Sequence, residues 1–205
     1  MYSQPSPNVV SPQHEIHDLL EDNELILRLK AGDKHALRLL MGRYKQKLYL
    51  FAWRNLGNED AARDVVQEAF VRLYFNCSKF DPHYKFRTWL YQITLNLCRD
   101  YRRRARKYSF EISIETLGSD GNGGWEDSGE NIDATIQSRE QLALLKKHIL
   151  LLPNRLKEAF VLYALEDHSQ NECAEILGVS AKTVETRVYR ARRILAKKLS
   201  HNFEG

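Results

Sequence analysis

Between residues 115 and 131 the chain reads ETLGSDGNGGWEDSGEN, with glycines at 118, 121, 123, 124 and 129. No helix or strand runs through so many glycines, because each exposes backbone and loses more conformational freedom on ordering than any other residue. The break divides the sequence into two parts, each with its own apolar periodicity. It therefore predicts two domains and a linker rather than one continuous core. Charge changes at the same place. Residues 1–107 hold 19 Lys and Arg against 12 Asp and Glu, residues 108–140 hold one against eight, and residues 141–205 hold 11 against seven. The formal net charge of +4 thus conceals blocks of +7, −7 and +4. Basic blocks suit a polyanion, and an acidic insert suits either a flexible connection or a basic channel.

Both flanks read as helices, and nothing reads as strand. In HALRLLMGRYKQKLYLFAWRNL, Leu37, Leu40, Tyr44, Leu48, Phe51 and Leu56 recur near a period of 3.6. Asn58 is placed to cap the next helix, whose Val66, Phe70 and Leu73 share a face. Pro82 marks a break, and a fourth helix is predicted from about Thr88 to Arg106. After the linker, REQLALLKKHILLL stops at Pro153, and NRLKEAFVLYALE carries Leu156, Ala159, Phe160 and Tyr163 as a core stripe. The predicted organisation is a disordered 1–14, a helical domain over 15–107, a flexible acidic linker over 108–138 and a second helical domain over 139–205.

The most diagnostic stretch is SQNECAEILGVSAKTVETRVYRARRILAKKL. Ser169 followed three residues later by Glu172 forms a capping box. Its short helix ends at Gly178, and Ser180 caps a longer helix with Val184, Val188, Ala191 and Leu195 inward. A short helix, a glycine turn and a second amphipathic helix make a helix-turn-helix. Such a second helix meets base edges in the major groove while basic neighbours hold phosphates. Thr183, Glu185, Thr186 and Arg190 are the candidate base readers; Lys182, Arg187, Arg192 and Arg193 are candidate phosphate contacts. Cys173 takes the place of a core residue.

The first domain carries two further groupings. Asp64, Gln67 and Glu68 share a helix face, and the like charges of Asp64 and Glu68 at i, i+4 cost helix stability that Arg72 partly offsets by pairing with Glu68. A protein partner with a basic face explains them, and so does a solvated helix side. Downstream, Phe75, Phe80, Tyr84, Phe86, Trp89 and Tyr91 fall within seventeen residues, interleaved with Lys79, Lys85 and Arg87. Aromatics that stack on bases beside cations that follow the backbone are what single-stranded nucleic acid requires. Phe80, Phe86 and part of Trp89 are also expected in the core. Beyond them lie Gln92, Asn96 and Arg99, then Arg103 in a run with five basic residues among residues 101–107.

Other chemistry has no support in the sequence. There is no phosphate-binding glycine fingerprint, and Cys77, Cys98 and Cys173 lie far apart without a C-x-x-C pair. No cofactor, metal or small-molecule substrate is expected. The opening MYSQPSPNVVSPQ has neither the basic nor the apolar region of a secretory signal, and no apolar run is long enough to span a membrane.

Three stretches, DVVQEAFVRLY, FDPHYKFRTWLYQITLNLCRDYRRR and LGVSAKTVETRVYRARRIL, together resemble the extracytoplasmic-function group of bacterial sigma factors. Residues 22–107 resemble sigma region 2 and residues 139–200 resemble sigma region 4. The resemblance implies an all-α initiation factor of the cytoplasm, not itself an enzyme. Asp64, Gln67, Glu68 and Arg72 would dock on the β′ clamp helices of core RNA polymerase, with the β flap as a further contact. The loop Lys79–Phe86, including Tyr84 and Lys85, would receive a flipped non-template base of the −10 element. Arg87, Trp89, Gln92, Asn96, Arg99 and Arg103 would hold and help melt that element. Lys182, Thr183, Glu185, Thr186, Arg187, Arg190 and Arg193 would bind the −35 duplex. An anti-sigma factor is a further implied partner. Glu185 departs from the family's basic or small residue, so promoter sequence does not transfer from relatives. The rival reading is a stand-alone helix-turn-helix regulator that binds a palindrome without polymerase; a nucleic-acid-processing enzyme would need clustered metal ligands, which the sequence lacks.

Overall fold

The computed structural model describes residues 21–112 and 136–200, all of whose regular elements are helical. The expectations for residues 1–14 and for most of the linker lie outside these residues. Helix α1 spans Asp22–Lys30, α2 Lys34–Leu56, α3 Glu59–Asn76 and α4 Phe86–Ile112. The second domain has α5 at Ile136–Leu150, α6 at Asn154–Phe160, α7 at Gln170–Leu177 and α8 at Ala181–Ser200. Helix α4 continues past the boundary expected at Lys107, and α5 begins before the one expected at Ser138. Among the described residues no helix is long and apolar enough to cross a membrane.

Local chemistry sets the helix ends. The Asp33 carboxylate accepts from the His35 amide at 2.8 Å, and the Asn58 side chain accepts from the Ala61 amide at 2.8 Å. Between these caps Gly57, at φ 71°, ends α2 in the left-handed conformation. A Cβ there would also meet the Leu150 side chain at 3.3 Å, a tight contact that adds to the strain another residue would carry at this φ. Helices α1 to α4 pack around Leu40, Leu48, Phe51, Leu73, Leu90 and Leu95, all fully buried. Phe51 meets Tyr91 edge-on with ring centroids 5.0 Å apart.

In the second domain the capping box is complete. The Ser169 hydroxyl accepts from the Glu172 amide, and the Glu172 carboxylate accepts from the Ser169 amide at 2.8 Å. Gly178 turns the chain at φ 67°, and the Ser180 hydroxyl accepts from the Thr183 amide at 3.2 Å. Val184, Val188, Ala191 and Leu195 face inward, as their spacing requires. One element differs from the sequence reading. The helix expected to run from Asn154 to Glu166 widens into a π-helical turn at Val161–Leu165. A wider turn changes the direction of the residues that follow it. Asp167, at φ 52°, completes the change, and Glu166 and His168 point back toward α4.

Candidate nucleic-acid and polymerase interface

Helix α8 presents a sorted surface. Lys182, Glu185, Thr186, Arg190 and Arg193 are exposed, Thr183 and Arg187 are half-buried, and the opposite face is core. Lys182 pairs with Glu185 at 3.0 Å, so part of the cation's charge is answered locally. The Thr186 hydroxyl donates to the Lys182 carbonyl at 2.9 Å, which fixes its side chain on the helix surface. The Arg192 guanidinium lies over the Tyr163 ring, 5.8 Å from its centroid. The sequence reading omitted Tyr189, which is 62% exposed on this face with Arg193 over its ring. Its signal was an aromatic at i+3 from Thr186 in an otherwise charged stripe.

Asp64, Gln67 and Glu68 are exposed together on α3, and Arg72 pairs with Glu68 at 2.9 Å. The same helix leaves Val71, Tyr74 and Phe75 exposed near its C-terminus, Phe75 by 74%. An acidic and apolar strip of this kind suits a protein surface better than a phosphate backbone.

The aromatic loop divides into two groups. Tyr84 is 56% exposed, Lys79 and Lys85 are exposed, and Trp89 is half-buried. Phe86 is fully buried, packed edge-on against Tyr44 at 5.6 Å and near Phe80 at 6.2 Å. It therefore anchors the loop and is not a surface for a base, which corrects its assignment as a contact. Asn23 on α1 also shapes the loop, a role that sequence reasoning missed. Its side chain donates to the Tyr84 carbonyl at 3.1 Å and accepts from the Phe86 amide at 2.8 Å. One residue thus fixes both sides of Lys85 and supplies an acceptor to the start of α4.

Along α4, Gln92, Asn96 and Arg103 are exposed, while Arg87 and Arg99 are drawn toward the second domain. Arg87 donates to the Glu166 carbonyl and lies over the Tyr91 ring. Arg99 donates to the Glu158 carboxylate at 2.7 Å. Both cysteine thiols in the cores, Cys98 and Cys173, are pushed up to about 12 by burial, which fits packing rather than thiolate chemistry.

Comparison with known proteins supplies the family. Sigma-70 region 2 matches residues 40–108, and Sigma-70, region 4 matches residues 142–195. The extracytoplasmic-function sigma factor SigW of Bacillus subtilis is 36% identical over 85% of this chain and 94% of its own length. The chain belongs to the extracytoplasmic-function sigma factors of the sigma-70 family. It is a promoter-directing transcription initiation factor, with region 2 before the glycine-rich segment and region 4 after it. The sigma factor CnrH of Cupriavidus metallidurans is 35% identical over 90% of this chain and 98% of its own. The structure of CnrH in complex with the cytosolic domain of CnrY superposes with a TM-score of 0.65, covering 88% of this chain and 97% of that one at 30% identity.

One group at the junction of the two regions titrates in an accessible range. His168 is buried against the Tyr91 ring, with centroids 4.6 Å apart and no hydrogen bond to either ring nitrogen. Burial, together with the Arg87 charge, lowers its pKa to about 4, although Glu172 and Asp167 act in the opposite direction. The folded protein holds it neutral, whereas the unfolded chain protonates it below its ordinary value near 6.5. Stability contributed by the neutral ring is therefore complete above about pH 6.5 and falls between there and pH 4, by at most about 3 kcal/mol. Chemical denaturation across this window should show the fall, and His168→Asn should flatten the slope relative to the parent. An identical slope in both would place the titration elsewhere.

Proposed function

We propose that this sigma factor joins core RNA polymerase through Asp64, Gln67, Glu68 and Arg72, which meet the β′ clamp helices, while region 4 also contacts the β flap. Helix α8 reads the −35 duplex with Thr183, Glu185, Thr186 and Arg190 against base edges. Lys182, Arg187 and Arg193 hold the phosphates on either side. The Lys79–Lys85 loop, with Tyr84 as its exposed ring, captures an unstacked base of the −10 non-template strand. Trp89, Gln92, Asn96, Arg99, Arg103 and Arg87 follow the strand beyond it. Melting costs base stacking, and stacking of bases on protein aromatics offsets that cost.

The observation that carries this reading is the division of α8 into a buried apolar face and a polar, cationic face built on a complete helix-turn-helix. The exposed strip on α3 favours polymerase docking over the rival reading as a stand-alone regulator, for which that strip would have no use. Polymerase supplies the bond-forming chemistry, so the factor works in the cytoplasm without a catalytic centre or cofactor of its own. The acidic segment between the regions, expected over 108–138, would thread through a basic channel of the polymerase. CnrH has been solved bound to the cytosolic domain of CnrY; a comparable anti-sigma partner is proposed for this chain.

Arg190→Ala tests the reading at one residue. Loss of a bidentate base contact should cost on the order of 1–3 kcal/mol at one −35 position and relax discrimination there. Holoenzyme affinity across a panel of single-base −35 variants measures both effects. A uniform loss at every position would assign Arg190 to phosphate, and an unchanged panel would remove it from the interface.

A further inference from the structure

We propose that region 4 acts as an intramolecular lid on the −10 face of region 2, held by Glu158, Glu166 and Glu172, with the Glu158 and Glu172 carboxylates and the Glu166 carbonyl in the positions that DNA phosphates would take. This inference rests on the assignment of Arg87, Arg99 and Lys85 to the −10 element.

The three carboxylates come from region 4, and cations of region 2 bind all of them. Glu158, only 3% exposed, accepts from Arg99 at 2.7 Å and from Arg102. Glu166 accepts from Arg54 at 2.5 Å and from the Tyr91 hydroxyl at 2.7 Å, while its carbonyl accepts from Arg87. Glu172 accepts from Lys85 at 2.9 Å. Burial opposes its ionisation, but the bonds from Lys85 and from Ser169 prevail and hold the carboxyl at about 2. Neutral contacts continue the closure, with Leu150 against Gly57 and the His168 ring against Tyr91. The π-helical turn at Val161–Leu165 brings Glu166 to this junction.

The consequence follows from occupancy. A guanidinium committed to a buried carboxylate cannot also hold a phosphate, and breaking such a pair within the closed state leaves an uncompensated buried charge. Separating the two regions as a whole returns both charges to water, so the net hold is modest. A polyanion or polymerase surface can therefore compete with it. The closed protein shields its −10 face from stray nucleic acid, and opening exposes it.

Two variants approach the junction from opposite sides. Glu158→Gln/Glu166→Gln removes two of the three region 4 charges, those of the more buried carboxylates. Arg54→Glu sets a carboxylate against Glu166 while leaving every residue assigned to DNA in place. Small-angle X-ray scattering of the full chain should give a larger radius of gyration for both variants, with helicity retained by circular dichroism. A fluorescein-labelled single-stranded DNA of roughly 20 nucleotides should bind each about tenfold more tightly than the parent, as expected if one molecule in about ten is open. Unchanged radius and affinity in both variants would overturn the lid. Expansion without a gain in affinity would overturn occlusion of the DNA face. Arg87→Ala/Arg99→Ala in the opened background separates the two ideas. Loss of the gain supports both, whereas persistence of the gain removes the −10 assignment and leaves the closure standing.

Discussion

Phe86→Ala will destabilise region 2 by about 3–5 kcal/mol instead of selectively weakening DNA binding. The ring is fully buried where α1, α2 and α4 converge, between Tyr44, Phe80 and Trp89. Alanine leaves a cavity that these large rings cannot refill without moving, so transfer and cavity costs add. Its amide also holds Asn23, so disturbance there spreads to the Tyr84 loop. Tyr84→Ala is the matched comparison. Tyr84 is more than half exposed, so its loss should change stability by no more than about 0.5 kcal/mol. Binding of a −10 single strand should nevertheless fall by about 1–3 kcal/mol. Urea denaturation followed by circular dichroism separates the two. A Phe86→Ala protein with an unaltered midpoint and lost strand binding would return Phe86 to the DNA interface.

Reversing Asp64 and Glu68 to lysine should lower affinity for core polymerase by on the order of 100-fold, because like charges brought together at an interface cost several kcal/mol. The fold should be nearly unaffected. Both residues are exposed, and the broken Glu68–Arg72 pair is a surface i, i+4 interaction worth only a few tenths of a kcal/mol. Reversal exchanges the repulsion between positions 64 and 68 for one of opposite sign and adds one between position 68 and Arg72, each worth only a few tenths of a kcal/mol at the surface. Full polymerase affinity in the double variant would make the acidic face a solvated one.

Much of this was legible because it is local. The caps at Asn58, Ser169 and Ser180, the glycine at 178 and the inward stripe of α8 depend on residues within a few positions of one another, and each stands where the sequence indicated. Phe86 was expected in the core from its neighbours and as a base contact from the family resemblance, and its full burial bears out the first. Interleaved aromatics and cations describe both a stacking surface and a core boundary, and only the packing of α1 against α2 and α4 decides which ring faces which way. The partners of Arg87 and Arg99 were out of reach for a related reason. Their acceptors, the Glu166 carbonyl and the Glu158 carboxylate, lie across the acidic segment, and the π-helical turn that aims Glu166 leaves no mark in apolar periodicity. Asn23 was missed because a side chain that caps a distant helix has no spacing to reveal it.

Promoter-directed initiation through core polymerase is the central claim. Run-off transcription with sigma-free core enzyme tests it most directly, using a template pool containing randomised −35 and −10 elements. The native chain should yield discrete transcripts from a selected subset, and the Asp64→Lys/Glu68→Lys protein should yield few at the same concentration. Transcripts no different from those of core enzyme alone would contradict the account.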